Sequence, residues 1–290
     1  MLKCFSEYGV VATFATVGFL FAESREDCLR YCPATTPDYK QRALSPYNGH
    51  FDSIVDDKRM DPYHFAPELI ELIRRYPRQE IASHTFSHFY CLEKGQTQAD
   101  FERDLAAATA IGSKNGYVLK SMVFPRNQVN EAYLGLLRKN GIITFRGTEK
   151  AWYYSAETEE KNTRLKRLFR LLDTYVNLSG HNCYSPKLND GRLPVNLPAS
   201  RFLRPYAPRL KFLERLRLRR ICGGMTHAAK NGEVYHLWWH PHNFGKHQKE
   251  NFRFLQKILA HYAQLRDQYG FTSQTMSEVA ESVLKAKAHG

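Results

Sequence analysis

Short strand-like segments alternate with helical patterns along almost the whole chain. Strands are predicted at 10–17, 80–83, 118–124, 142–145, 233–239 and 271–275. Helices are predicted at 1–8, 67–76, 97–115, 130–139, 161–172, 208–230, 248–269 and 276–287. Because this alternation is typical of βα units, it predicts an α/β fold with a mostly parallel sheet covered by helices, and a barrel-like arrangement is the favoured architecture.

The chain is long enough to bury a sizeable core, since 43% of its 290 residues are hydrophobic. No Pro-, Gly- or Ser-rich linker separates two halves and no internal repeat is present. A single domain over 1–290 is therefore predicted. Residues 23–61 form a long, irregular insertion that contains Pro33, Pro37 and Pro46. Loops of this length in compact domains tend to be functional covers or mobile segments.

The net charge of +13 is unevenly distributed. The segment 201–220, most of which lies on the helix predicted at 208–230, has Glu214 as its single acidic residue and eight basic residues. These are Arg201, Arg204, Arg209, Lys211, Arg215, Arg217, Arg219 and Arg220. Such a basic face has three candidate partners, namely nucleic acid, an anionic polymer and anionic membrane lipids. No recognised nucleic-acid-binding motif accompanies it, so nucleic acid is not expected and an anionic membrane surface is kept as a candidate.

The six cysteines match neither a zinc-binding CxxC pattern nor a dense disulfide framework. They predict free thiols in a reducing compartment, and hence a cytoplasmic protein that can lie peripherally on the inner membrane. No stretch reaches 18 apolar residues, so no transmembrane helix is predicted.

Two histidines four residues apart follow the short predicted strand at 80–83. They are His84 and His88, in the order His-Thr-Phe-Ser-His. Side chains at the carboxyl end of a parallel strand point into the crevice where such sheets bind ligands. A pair of imidazoles there predicts binding of one metal ion, and zinc accepts such nitrogens. The spacing alone equally fits two polar residues at a strand end.

Two further strands end in polar or aromatic residues. On the strand at 233–239, alternation places Trp238 and His240 on one face, with Trp239 on the other. A histidine at this position can exchange protons near pH 7, and a tryptophan can stack on a sugar or fill the core. After the strand at 118–124, Arg126 can fix a neighbouring carboxylate or lie exposed in the turn.

The order of these segments resembles the NodB-homology polysaccharide deacetylases, carbohydrate esterase family 4. His84-Thr85-Phe86-Ser87-His88 resembles the metal-binding motif H-[ST]-x-x-H of that family, and Ala12-Thr13-Phe14 resembles its Ala-Thr-Phe-Phe strand. Phe124-Pro125-Arg126 and Trp238-Trp239-His240 stand where its arginine turn and its final histidine strand would be. Among its varieties, the segments are most similar to deacetylases found with O-antigen and surface-polysaccharide genes.

This resemblance implies a distorted (β/α) barrel and removal of N-acetyl groups from an N-acetylated glycan or lipid-linked sugar. His84 and His88 would bind a divalent metal, usually zinc in the family. His240 would protonate the leaving amine and Arg126 would orient the catalytic base. Trp238, His242 and Asn243 would contact the substrate.

One part of the family pattern is absent from this sequence. The first strand of the family carries an aspartate pair, which supplies the general base and a third metal ligand, and no such motif precedes Ala12. The first strand is therefore predicted to be missing. Three explanations stay open, namely a longer upstream protein, an inactive relative, or a substitute acid from the loop that contains Asp52, Asp56, Asp57 and Asp61.

Two other functions also stay open. The first is a catalytically inactive relative that binds glycans or assists their assembly, which Trp238 and Trp239 would serve equally well. The second is a basic nucleic-acid-binding protein, suggested by the net charge of +13.

Overall fold

The structure is a computed structural model that describes residues 1–51, 54–55, 64–187 and 194–288. The strands are β1 (Thr13–Thr16), β2 (Glu80–Ser83), β3 (Ser121–Met122), β4 (Thr144–Phe145), β5 (Val195–Asn196), β6 (Arg201–Phe202) and β7 (Leu237–Trp238). The α-helices are α1 (Leu2–Tyr8), α2 (Arg25–Tyr31), α3 (Pro67–Arg74), α4 (Gln98–Lys114), α5 (Leu134–Lys139), α6 (Arg164–Asp173), α7 (Glu214–Asn231), α8 (Gln248–Tyr269) and α9 (Met276–Ala288). Short 3₁₀ turns connect several of them.

The predicted parallel sheet is confirmed. Five strands pair in the order β1-β2-β3-β4-β5, and every neighbouring pair is parallel. Thr13 pairs with Glu80 and Thr16 with Ser83, so β1 and β2 run side by side over their full length. Parallel neighbours need crossover connections, and α3, α4 and α5 lie in these connections as the alternating pattern predicts.

The predicted barrel is not confirmed, because the strand pairs of the described residues do not close into a ring. Strands β6 and β7 form a separate parallel pair. The segment between β5 and β6 links the two sheets, since Ala199 N donates to Gly147 O at 2.9 Å while Ser200 N donates to His236 O at 2.9 Å. Within two residues, the backbone hydrogen bonds of this segment change from a residue after β4 to a residue before β7.

Strand lengths show where the sequence pattern overestimated regular structure. The predicted strand at 271–275 is wrong, because this segment pairs with no strand among the described residues. Ser273 uses its side chain there instead, and its Oγ accepts from Val11 N at 3.0 Å. The strand predicted at 118–124 is reduced to the two residues of β3.

Helix ends follow the local sequence signals. A capping box starts α4, since Asp100 N donates to Thr97 Oγ1 and Thr97 N donates to Asp100 Oδ2. Gly9 ends α1 with a φ of 67°, in the left-handed region that glycine enters without steric cost. Buried side chains of α4 pack against the turn after β1 and against β2, which fixes the sheet edge described below.

The predicted basic face of the segment 201–220 requires a correction. Arg201, Arg217 and Arg220 are buried, with 2%, 1% and 5% of their surface exposed. Arg201 and Arg220 both pair with the buried Asp173 carboxylate, at 2.6 and 3.3 Å. Burying an arginine is tolerated when it is paired, so these guanidiniums hold the fold together and are not presented to a partner. The exposed basic residues of the segment are Arg209, Lys211, Arg215 and Arg219.

All six cysteines are free thiols, as predicted. Among the described residues, no helix combines the length and apolarity that a bilayer crossing requires.

Candidate active site

Several strands end at the same edge of the molecule, and their next residues carry the polar side chains of interest. His84 follows β2 and Arg146 follows β4, while His240 lies two residues beyond β7. The backbone continues the sheet pairing at this edge, because His84 N donates to Thr16 O at 2.9 Å and Arg146 N donates to Met122 O at 3.0 Å. The parallel topology thus gathers residues that are far apart in sequence.

The imidazoles of His84 and His88 lie edge to face, with ring centroids 4.8 Å apart and an angle of 70° between the ring planes. His84 Nδ1 lies 2.6 Å from the carbonyl oxygen of Val123. A carbonyl only accepts, so Nδ1 of His84 carries the proton and Nε2 keeps its lone pair. His88 Nδ1 is likewise engaged, at 3.1 Å from the Tyr90 hydroxyl. Such outer hydrogen bonds fix the tautomer and orientation of metal-binding histidines in general.

Both imidazoles are neutral at pH 7. Burial lowers the pKa of His84 to about 3, and the Arg146 charge and protonation of His88 or His240 would act in the same direction. Burial lowers the pKa of His88 to about 4, and the Arg126 charge and protonation of His240 would act in the same direction. Neutral imidazole is the form that ligates a metal. These charge effects connect five side chains into one site, namely His84, His88, Arg126, Arg146 and His240.

The loop between the two histidines is held in an unusual backbone conformation. Thr85 and His88 have φ angles of 64° and 60°, in the left-handed region that non-glycine residues rarely enter. The buried Asp104 carboxylate stabilises the loop, because it accepts from the backbone N–H of Phe86 at 2.7 Å and of Ser87 at 3.1 Å. The Ser87 hydroxyl also donates to Asp104.

A glycine on the neighbouring strand end lets this loop approach closely. Gly18 N donates to Thr85 O at 2.9 Å. A Cβ at Gly18 would lie 2.5 Å from Cδ2 of Phe86 and 2.8 Å from its Cα. Only glycine therefore allows the turn after β1 to pack against the histidine loop.

His84 and His88 could supply two of the three protein ligands of a catalytic zinc site. The neutral state of both rings and the free Nε2 lone pair of His84 suit a divalent metal, but catalytic zinc normally has three protein ligands. Among the described residues, no group of three or more His, Cys, Asp or Glu side chains is arranged to hold a metal. The candidate acids Asp52, Asp56, Asp57 and Asp61 lie outside the described residues.

His240 and Trp238 lie together at the opening of the site. Their ring centroids are 5.5 Å apart, and His242 stacks on His240 at 5.1 Å. Burial lowers the pKa of His240, and the neighbouring charges of His242 and Arg146 lower it further. His240 is thus neutral at pH 7 and must take up a proton before it can donate one.

Trp239 and Asn243, on either side of His240, contact the protein interior and the neighbouring turn. Trp239 packs edge-on against Phe5 in the core beneath α8, so one of the two tryptophans faces the core and Trp238 faces the site. The backbone N–H of Asn243 donates to His240 O at 3.0 Å, and its carbonyl accepts from Asn251 Nδ2 at 3.4 Å. Asn243 therefore shapes the turn that carries His240.

Arg126 lies on the surface of the site, whereas Arg146 lies inside it. Arg126 has a φ of 51°, and its Cζ lies 4.5 Å from the centre of the Tyr90 ring. Arg146 is buried, with its Cζ 4.0 Å from the centre of the Trp238 ring and NH2 donating to Asn127 Oδ1 at 2.6 Å. Within the described residues, the Nε of Arg146 has no hydrogen-bond partner.

Sequence reasoning missed three residues that the structure places around the site. Arg146 was detectable, because it directly follows a predicted strand in the same way as His84 does. Asp104 was also detectable as the polar member of an apolar helical stripe that contains Phe101, Leu105 and Ala108. Glu149 gave no such signal. It is buried near Arg146, and burial raises its pKa to about 7 despite the opposing charges of nearby arginines.

Comparison with known proteins supports the fold. No protein-family model matches the sequence. No curated protein matches it either. A solved structure of a proposed polysaccharide deacetylase from Mycobacterium smegmatis is similar, with a TM-score of 0.59, 18% identity, and coverage of 99% of this chain and 76% of that one. At this identity the similarity shows a shared fold and not a shared activity.

A second solved structure is the Xyl-CE4 domain of a multidomain xylanase from the hindgut metagenome of Trinervitermes trinervoides. It has a TM-score of 0.43 and 12% identity, and covers 97% of this chain and 82% of that domain. We draw no inference from a similarity of this size. The parallel α/β architecture and its likeness to the proposed mycobacterial deacetylase confirm the coarse fold prediction.

Proposed function

We propose that this chain is a metal-dependent hydrolase that removes N-acetyl groups from an N-acetylated sugar or polysaccharide precursor. The observation that carries the proposal is the pair of neutral imidazoles, His84 and His88, 4.8 Å apart at the carboxyl ends of parallel strands. His240 and Trp238 stand beside them, and the fold is that of a proposed polysaccharide deacetylase.

His84 and His88 would hold the metal through Nε2. When bound, zinc would polarise the amide carbonyl and increase the acidity of a water molecule. The chain contributes the outer support of this pair, because Val123 O and the Tyr90 hydroxyl fix the two ring orientations. A third ligand would come from residues outside the described ranges.

His240 would exchange the proton in the reaction. Because its lowered pKa keeps it neutral at pH 7, it can first accept a proton from the attacking water and then donate that proton to the leaving amine nitrogen. Arg146 would stabilise negative charge that develops on the acyl oxygen, since its guanidinium is buried and keeps an unpartnered Nε among the described residues.

Trp238 and Tyr90 would bind the sugar. Each ring contacts an arginine, Arg146 and Arg126 respectively, so both aromatic residues lie at the site, and a sugar would stack on the ring face that the arginine leaves free. Aromatic rings bind the apolar faces of sugars by stacking. The substrate class that fits is an N-acetylated glycan or a lipid-linked sugar, with His242 and Asn243 at its margin.

Release of acetate from N-acetylglucosamine oligosaccharides tests this proposal, measured with added zinc and after chelation. We expect zinc-dependent acetate release that His240→Asn reduces by about two orders of magnitude, as loss of a general acid–base group does. A His227→Ala variant, which changes a histidine on α7 outside the site, should retain activity. Zinc-independent acetate release, or equal activity in His240→Asn, would refute the assignment.

A non-catalytic glycan-binding protein is the second candidate. The observation in its favour is that His84 and His88 have no third metal ligand beside them among the described residues. Sugar binding that needs Trp238, without acetate release under any metal, would establish this alternative.

A further inference from the structure

Helix α6 is strongly basic and exposes three leucines to solvent. Leu165, Leu168 and Leu172 are 55%, 49% and 44% exposed, and their spacing places them along one side of the helix. Scattered apolar residues on a surface are ordinary, but a continuous stripe marks an interaction site.

The helix is firmly attached, so its exposed stripe does not come from a frayed end. Asp173 in its last turn is fully buried and pairs with Arg201 and Arg220. Thr163 caps its first turn, accepting from Lys166 N at 3.3 Å. The inward contacts thus fix which side of α6 faces outward.

Neighbouring residues extend the apolar stripe. Trp152 is 51% exposed and its ring lies 5.4 Å from the partly buried Phe169 of α6. Val176 and Leu178, just beyond α6, are 53% and 47% exposed. We call this surface, with the three leucines of the stripe, the α6 face. A tryptophan at the margin of an apolar surface is typical of proteins that contact the membrane interface.

The charged residues at 161–172 are all positive. Residues 161–172 contain Lys161, Arg164, Lys166, Arg167 and Arg170, and no acidic residue. Arg164 and Arg167 are exposed, whereas Lys166 turns back to pair with Glu157 at 2.6 Å. The α6 face therefore combines an apolar strip with exposed arginines along one side.

We propose that the α6 face docks on the surface of an anionic lipid bilayer. The leucines would enter the boundary between headgroups and acyl chains, and the arginines would contact lipid phosphates, as in amphipathic helices that lie in the membrane plane. A bilayer matches both properties at once, since its apolar interior underlies a negative surface. This places membrane contact on α6, and not on the segment 201–220, in which Arg201, Arg217 and Arg220 are buried.

Flotation with vesicles tests this inference without any assay of activity, so its outcome is separate from that of the proposed hydrolase. The probes are vesicles of phosphatidylcholine alone and vesicles that also contain phosphatidylglycerol. We expect binding to the anionic vesicles only, weakened by salt. Combining Leu165→Ser, Leu168→Ser and Leu172→Ser should lower the partition coefficient by at least about tenfold. Arg164→Gln and Arg167→Gln should each lower it by about fivefold.

Helix α3 offers a matched control. Leu69 and Leu72 are also exposed, at 62% and 42%, but lie beside Glu68 and Glu71. Changing both to serine should leave vesicle binding unchanged. The inference is overturned if the protein does not bind anionic vesicles at low salt, or if the triple α6 variant binds as well as the parent. It is also overturned if the parent is a dimer and the triple variant a monomer, because a second copy would then cover the α6 face.

Discussion

The Asp104 carboxylate accepts a hydrogen bond from the backbone N–H of Ser87 at 3.1 Å, and so fixes the loop that joins His84 to His88. A second bond from Phe86 N measures 2.7 Å. Burial raises the pKa of Asp104 to about 6, opposed by the hydrogen bonds from this loop. At pH 7 the side chain is therefore mostly ionised and can accept all of these bonds.

Replacing Asp104 by Asn should loosen the histidine loop. The amide places N–H groups where two backbone donors already point, so the free energy of unfolding should fall by about 1–3 kcal/mol. Zinc affinity should fall as well, because support of this kind commonly contributes tenfold or more. Denaturant unfolding and zinc titration measure the two effects. Asp267→Asn on the surface is the control, and equal effects in both variants would contradict the role of Asp104.

Gly18→Ala should displace the histidine loop from the turn after β1. The added Cβ would meet Phe86 at 2.5 Å, so one of the two backbones must move. We expect weaker zinc binding and a loss of about 1–3 kcal/mol of stability, as for overpacking in a core. Gly135→Ala on α5 is the control, because its Cβ meets nothing within 4 Å and alanine favours a helix. Unchanged zinc affinity in Gly18→Ala would show that the close approach is not needed.

Arg146→Met separates a role at the site from a structural role. Burial lowers the pKa of Arg146 to about 10, which reflects the cost of a charge held away from water. Replacing it by an apolar side chain of similar length removes that cost but also the hydrogen bond to Asn127, so the free energy of unfolding should change by less than about 2 kcal/mol. Acetate release should fall by at least about a hundredfold, as when an oxyanion donor is removed. Lower stability with unchanged activity would make Arg146 a structural residue.

Asp173→Asn should remove part of the acid sensitivity of the fold. Burial alone would raise the pKa of Asp173, but Arg201 and the hydrogen bonds from Ser179 overcome this and lower it below its usual value of 3.8. Because the folded pKa is depressed, the stabilisation is present above pH 3.8 and is lost as the pH falls below it.

Unfolding measured across pH tests this assignment. At pH 7, Asp173→Asn should cost about 3 kcal/mol, because two buried guanidiniums lose their partner. The variant should also lose stability less steeply than the parent in acid. Glu26→Gln, which breaks the exposed pair with Arg30, should leave the stability and its pH dependence unchanged. An equally steep fall in the free energy of unfolding below pH 3.8 in the parent and in Asp173→Asn would contradict this account.

Local sequence patterns predicted the elements well where the signal is short-range. The strand at 80–83 and the helix at 248–269 are found with the predicted bounds, since periodicity and end signals lie within the segments themselves. The basic face at 201–220 failed for the opposite reason. The ionic contacts of Arg201 and Arg220 depend on Asp173, a partner at the end of another helix, which no local pattern reveals.

The candidate site was predictable in part. Two histidines four apart after a strand indicated His84 and His88, and alternation separated Trp238 from Trp239. Arg126 and Arg146 both follow predicted strands, and the sequence does not show which of them lies inside the site. That depends on the left-handed backbone of the turn at 126–127 and on the register of β4 beside β3. The roles of these residues stay predictions until they are measured.

Bound zinc per chain, measured on the parent protein and on His84→Ala, tests the central claim most directly. We predict about one zinc in the parent, as for a single catalytic site, and none in His84→Ala. The control variant His227→Ala should retain the metal. Absence of zinc in the parent, or equal zinc in His84→Ala, would contradict a metal site at His84 and His88.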